Sequence, residues 1–339
     1  MQKIKWEPEH YRHSYQHQFD HMGQTSLAKH LIFIPDTELH IHQHKYEQNA
    51  ALIRQCRRDT GRLPVLTLDG NPYDVDSYLS NLEKYIGTDE FFVFNSDIRP
   101  EVSTQKNLAP WPSWLCRQQI DGNAQLNRPK VNRISFLSGV VRYHRIALFR
   151  EIQPYIKDSD IVVVNSFLKE HFINTIPVDL AEHIDIDEWV SGIPWANHQR
   201  LFDTDQTETS ATNQHSTDHP AYAACINITG ETLGAGDQVL ISEKTWKAYI
   251  SGCLVVNYGI EKMSSCLKNF GLEIWTEYDK GESLENSIVS IVELFQRDDI
   301  EEIYKKQYDM ICYNQNLVNS LDFLNKLAQP AFDKISEML

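Results

Sequence analysis

Short apolar runs alternate with longer charged stretches through the first hundred residues. LIFI at 31–34, PVLTL at 64–68 and EFFVFN at 90–95 have the length and composition of buried strands. Between the first two, residues 46–60 are charged and helix-like and stop at Gly61. Residues 75–85 repeat the pattern and stop near Gly87. Continuous apolar strands separated by helices predict a parallel sheet with helices on both faces. Residues 1–30 are polar and rich in histidine and follow neither period. NLAPWPSW at 107–114, with two prolines and two tryptophans, predicts irregular chain. The polar stretch at 119–132 predicts a linker.

The alternation then resumes. Strands are expected at 134–137, 160–164, 223–228, 253–258 and 272–275, and helices at 145–155, 243–251 and over most of the chain from 283 onward. Residues 203–219 are polar and of low complexity and read as a surface loop. At about 150 residues per domain the chain divides into two. The expected division is an N-terminal Rossmann-like domain at 1–125, a C-terminal one at 131–325 and a closing helix at 326–339. The fold class is α/β.

The formal net charge of −15 argues against a nucleic-acid partner, which needs clustered Lys and Arg to displace phosphate counterions, but leaves room for one small basic pocket. The six cysteines are scattered without a CxxC pair and read as free thiols. Residues 1–7 lack an apolar leader, and no apolar run approaches the ~20 residues of a membrane helix. No integral membrane segment and a cytoplasmic location are therefore expected.

Two segments hold the candidate chemistry. In RISFLSGVVRYHRIALFREI, from Arg133, an apolar strand enters a small-residue turn at Ser138-Gly139 and a helix opens close to Arg145. The carboxyl end of a parallel strand is where open α/β sheets bind ligands, and a helix start favours anions. On spacing alone, Arg142 and Arg145 fit a solvated helix start better than a ligand site. In the second segment, a strand (YAACINIT, from Tyr222) ends at Glu231, a loop follows with Gly234 and Gly236, and a helix opens at Ser242-Glu243-Lys244 and closes at Gly252. Ser242 is a good N-cap. A cation at a helix start is unfavourable unless an anion offsets it, and a bound diphosphate would do so.

These segments resemble the inverting fucosyltransferases that use GDP-fucose, together with a looser group of bacterial and phage proteins sharing their C-terminal domain. The resemblance covers roughly residues 131–280. It implies two Rossmann-like domains facing each other across a cleft, the GT-B arrangement, and no cofactor or metal. It places Arg145 and Lys244 on the donor phosphates, Glu243 on the donor ribose and Glu231 on the acidic position at the strand end. The implied partners are a nucleotide-diphosphate sugar, with a GDP-sugar favoured, and a glycan or other hydroxyl acceptor. The family often carries an aromatic residue three positions before the Glu of Glu-Lys. Leu240 stands there, which weakens the case for guanine and for fucose.

The family's general base is a carboxylate in a loop after an N-domain strand. Asp97, then Glu101, occupies such a place after EFFVFN, and each also fits a plain surface turn. Trp111 and Trp114 are candidates to floor an acceptor site or simply to anchor a proline-rich loop. His40, His42 and His44 fall on one side of an extended segment, where a polar edge competes with a metal site. The expected function is an inverting, metal-independent glycosyltransferase. The alternatives are a catalytically idle nucleotide-binding or scaffold protein of the same fold, or a UDP-sugar transferase.

Overall fold

A computed structural model of the chain describes residues 9–35, 45–68, 75–95, 106–120, 128–138, 142–164, 173, 176, 184–191, 193, 219–231, 239, 241–260, 262–279 and 283–339. The described residues form an α/β structure with two four-stranded parallel sheets. The chain forms two compact units. One comprises Met1–Gly122, Leu233–Ile241 and Ser320–Leu339, and the other Asn123–Thr232 and Ser242–Asn319.

The first unit holds β1 (Leu31–Pro35), β2 (Leu63–Leu68), β3 (Phe92–Asn95) and β4 (Leu108–Pro110), in that spatial order. β2 and β3 are buried along their whole length, as their largely apolar sequence leads one to expect. Ile34, Ile53, Leu66, Leu79 and Val93 fill one core, with the Tyr46–Thr60 and Val75–Leu82 helices contributing. Around Phe33 and Phe94 lies an aromatic cluster with Tyr15, Phe19 and Trp111. Tyr15 and Phe19 come from the Glu9–His21 helix, in the stretch whose sequence matched neither period. The Leu321–Met338 helix belongs to this unit, is capped by Ser320, and adds Phe332 against Trp111. Each of these buried aromatics contributes about 1.5–3 kcal/mol.

The 107–114 segment is more regular than its prolines suggest. Leu108–Pro110 pairs with β3 as an edge strand, and the Ser113–Ile120 helix follows. Pro110 ends that strand, where its missing N–H costs no ladder bond. Among the described residues 272–275 form no strand. The side-chain amide of Asn314 instead accepts from Glu273 N–H (2.8 Å) and donates to Glu273 C=O (2.7 Å), replacing a neighbouring strand.

The second unit holds β5 (Asn132–Ser138), β6 (Ile161–Val164), β7 (Ala224–Gly230) and β8 (Leu254–Tyr258), in the order β6-β5-β7-β8. Ile134, Phe136, Ile226, Ile228 and Val256 form its core with Leu148 and Phe295. The chain runs outward from β5 to β6, then returns to the other side of β5 as β7. This reversal makes the carboxyl ends of β5 and β7 a topological switch point, where open α/β sheets leave a crevice for ligands. The run 203–219 lies outside the described residues. Among the described residues no helix is long and apolar enough to cross a membrane.

Candidate functional site

The switch point is built by the ends of β5, β7 and β8 and by the starts of two helices, Tyr143–Ile152 and Glu243–Ile250. Arg145, third in the first of these helices, is 2% exposed. Its guanidinium donates to the carbonyl of Gly230 at the end of β7 (Nη2–O 2.8 Å). Burial, and then the neighbouring Arg142 guanidinium, lower its pKa to about 10, against the opposing pull of Glu231 and Glu243. Burial also lowers the pKa of Arg142. Two crowded, poorly hydrated cations at this position are a disposition for anions.

Glu231 directly follows β7 and is 1% exposed. Its Oε1 accepts from Ser242 N–H (2.9 Å) and from the Thr245 hydroxyl (2.6 Å). The carboxylate thus lies at the start of the Glu243–Ile250 helix, where the macrodipole favours a negative charge. Ser242 caps the helix as its sequence suggests, accepting from Lys244 N–H at 3.3 Å.

Lys244 carries its own counter-ion. Its ammonium pairs with Glu243 Oε1 at 2.9 Å, and the two side chains are 25% and 16% exposed. Burial works to raise the Glu243 carboxyl, but the Lys244 ammonium, together with Lys247 and a backbone hydrogen bond, outweighs it and holds its pKa below the ordinary value. The Glu243 carboxylate is thus an anion that offsets this lysine at the helix start, without a bound diphosphate.

His144 went unnoticed in the sequence. It is fully buried and stacks obliquely on Tyr258, whose hydroxyl donates to the His144 carbonyl (2.7 Å). Its Nε2 lies 3.0 Å from the Glu231 carbonyl oxygen. A carbonyl only accepts, so Nε2 holds the proton and Nδ1 offers a lone pair. Burial, then Arg145, keep the ring neutral by lowering its pKa well below the ordinary histidine value. Gly259 completes this corner at φ +104°. A Cβ there would stand 3.2 Å from the Glu231 carbonyl oxygen and 3.3 Å from the imidazole. Ser138 Oγ, Arg142 Nε, His144 Nδ1 and Glu231 Oε2 are buried and have no hydrogen-bond partner among the described residues. Such atoms are rare in native interiors and mark a place for water or ligand. Three basic residues within Arg142-Tyr-His-Arg145, at a strand-to-helix junction, were the available signal.

Behind β8, a second buried carboxylate fixes the strand. Asp279 Oδ2 accepts from the Asn257 backbone (3.0 Å) and side chain (2.5 Å), and its Oδ1 accepts from Ser264. Asp279 lies 22 residues beyond Asn257, with no local pattern to announce it.

Arg145, Glu231, Glu243 and Lys244 thus fall around one switch point. Trp111 does not fit its assignment as an acceptor floor. It is 1% exposed, stacks on Phe94 at 4.2 Å and donates from Nε1 to Gln18 (2.7 Å), which makes it core. Trp114 is half-buried beneath the Arg117 guanidinium. Asp97, Glu101, His40, His42 and His44 lie outside the described residues. No cluster of metal-binding side chains occurs among the described residues. Comparison with protein-family models, with curated proteins and with solved structures gives no match.

Proposed function

We propose that the second unit binds a nucleoside-diphosphate sugar and that the chain is an inverting, metal-independent glycosyltransferase of the GT-B kind. The observation that carries this is the buried Arg145, beside Arg142, at the switch point of a parallel sheet. Arginine matches the spacing of phosphate oxygens in a bidentate manner, and its attraction grows as a departing diphosphate gains charge. Resemblance in the order and spacing of the two segments supports the sugar-nucleotide class. Lys244, once its partner Glu243 engages a ligand hydroxyl, adds a third cation.

In the proposed reaction a carboxylate of the first unit, Asp97 or Glu101, takes the proton of an acceptor hydroxyl. The acceptor oxygen attacks the anomeric carbon opposite the diphosphate, the glycosidic bond to phosphate breaks, and the configuration inverts. Arg142 and Arg145 hold the leaving group. A melting-temperature screen with GDP-, UDP-, dTDP- and CMP-sugars tests the donor class. Binding at 100 times Kd adds about 2.7 kcal/mol. Stabilisation by one diphosphate sugar, and its hydrolysis or transfer in the presence of EDTA, supports the proposal. Binding without any turnover reduces the protein to a nucleotide-binding module, and stabilisation by none of the four removes the donor assignment.

A further inference from the structure

At the opposite end of the second unit's sheet lies a cavity of about 330 Å³. It is formed by the residues leading into β5, by the start of β7, by the Ser251-Gly252 turn before β8 and by the Ile300–Lys306 and Tyr308–Val318 helices. Cys225 near the start of β7 and Glu231 just past its end lie six residues apart, about 20 Å at 3.3 Å per residue. The cavity is thus separate from the proposed donor site. Its volume falls within the range of small-molecule pockets and has room for about ten water-sized groups.

The lining is polarised. Arg128, Lys130, Lys305 and Glu301 are its charged lining residues among those described, in a chain where acidic residues outnumber basic ones, 47 to 32. Lys130 is held by acceptors without formal charge: Ser251 C=O (2.7 Å), Tyr222 C=O (3.2 Å) and Cys253 Sγ (3.5 Å). No carboxylate pairs with it among the described residues. The first of these contacts ties it to the carboxyl end of the Glu243–Ile250 helix, whose dipole only partly balances a full charge. Ser251 Oγ is buried without a hydrogen-bond partner among the described residues. Ile311, Cys225 and the Tyr304 ring supply an apolar side, and the Tyr304 hydroxyl is already committed to Gly252 C=O (2.9 Å).

We infer that this cavity is a second binding site, for a small organic anion with one carboxylate or phosphate group and a compact apolar body. The anionic group sits against Arg128, Lys130 and Lys305 and accepts from Ser251 Oγ. The body lies against Ile311 and Tyr304. This inference stands apart from the donor-site proposal.

Cys312 lines the cavity and is the partly exposed cysteine of the six, the other five being buried. Its rate of modification by a colorimetric thiol reagent therefore reports occupancy, with Cys312→Ser identifying the signal. In the full chain, benzoate or phenyl phosphate is expected to slow modification about tenfold at ten times its Kd. Benzamide and inorganic phosphate, which lack the charge or the body, should protect far less. Arg128→Glu with Lys305→Glu should abolish protection, and Lys305→Arg alone should retain it. Melting temperature in the absence of ligand checks that the variants fold. Arg145→Met should leave protection unchanged. Equal protection by benzamide, full protection by inorganic phosphate, protection that survives the double charge reversal, loss of protection in Arg145→Met, or no protection by any probe would each overturn the inference.

Discussion

Replacing Arg145 with methionine separates ligand binding from folding. Methionine retains much of the aliphatic length and removes the charge. Arg145 is 2% exposed, and its pKa near 10 corresponds to about 3 kcal/mol of disfavour for the charged form. Removing it relieves that burden but leaves the Gly230 carbonyl without its 2.8 Å donor, a loss of about 1–3 kcal/mol. The two nearly cancel, so the ligand-free variant should melt with a stability within about 2 kcal/mol of the parent. Ligand binding should not survive. The parent gains about 2.7 kcal/mol from a diphosphate sugar at 100 times Kd, which at 2–4 °C per kcal/mol is roughly 5–10 °C. The variant should show a shift near zero. Scanning calorimetry with and without ligand measures both quantities. A variant destabilised by more than about 4 kcal/mol that keeps the full ligand shift would show that Arg145 is structural and refute the reasoning.

Further expectations follow from the same corner of the molecule. His144 has a folded pKa depressed below its unfolded value, so its contribution to stability is present above about pH 6.5 and is lost as pH falls toward the folded pKa. His144→Gln should flatten the stability profile below pH 6.5 by up to about 1.4 kcal/mol per pH unit, measured by denaturant titration, and an unchanged slope would contradict the neutral buried ring. Gly259→Ala should lower stability by about 1–3 kcal/mol, because φ +104° and the 3.2 Å approach to the Glu231 carbonyl both oppose a Cβ; an unchanged melting temperature would show that the turn relaxes freely. Lys244→Ala should weaken diphosphate binding by about 1.5–3 kcal/mol in calorimetric titration, and wild-type affinity would confine Lys244 to its pair with Glu243. Asp97→Asn should lower kcat by about 10²–10⁴ with donor affinity nearly intact, and Glu101→Gln tested beside it decides between the two carboxylates; full turnover in both places the base elsewhere.

Much of the strand order along the chain was legible because buried parallel strands leave continuous apolar runs, as in PVLTL and EFFVFN. The switch point was legible in part. Ser242 shows as a cap and Gly252 as a stop, since both act through their nearest neighbours. Contacts over long separations were not. Glu231 reaches Thr245 across 14 residues, and Arg145 reaches Gly230 across 85 residues. The pairing of Lys244 with the adjacent Glu243 was visible as a possibility, yet sequence does not say which way two neighbouring side chains turn. Trp111 misled for a related reason. A proline-flanked tryptophan looks loop-like until Phe19, Phe94 and Phe332 are brought around it by elements from both ends of the chain.

Hydrogen exchange with a saturating nucleoside-diphosphate sugar tests the central claim most directly, because it locates the ligand without requiring turnover. Binding at the switch point should slow amide exchange at 142–146 and 242–246, the starts of the two helices, and Arg145→Met should abolish that protection. Protection confined to other segments, or protection at 142–146 that persists in Arg145→Met, would contradict a donor site built on Arg145.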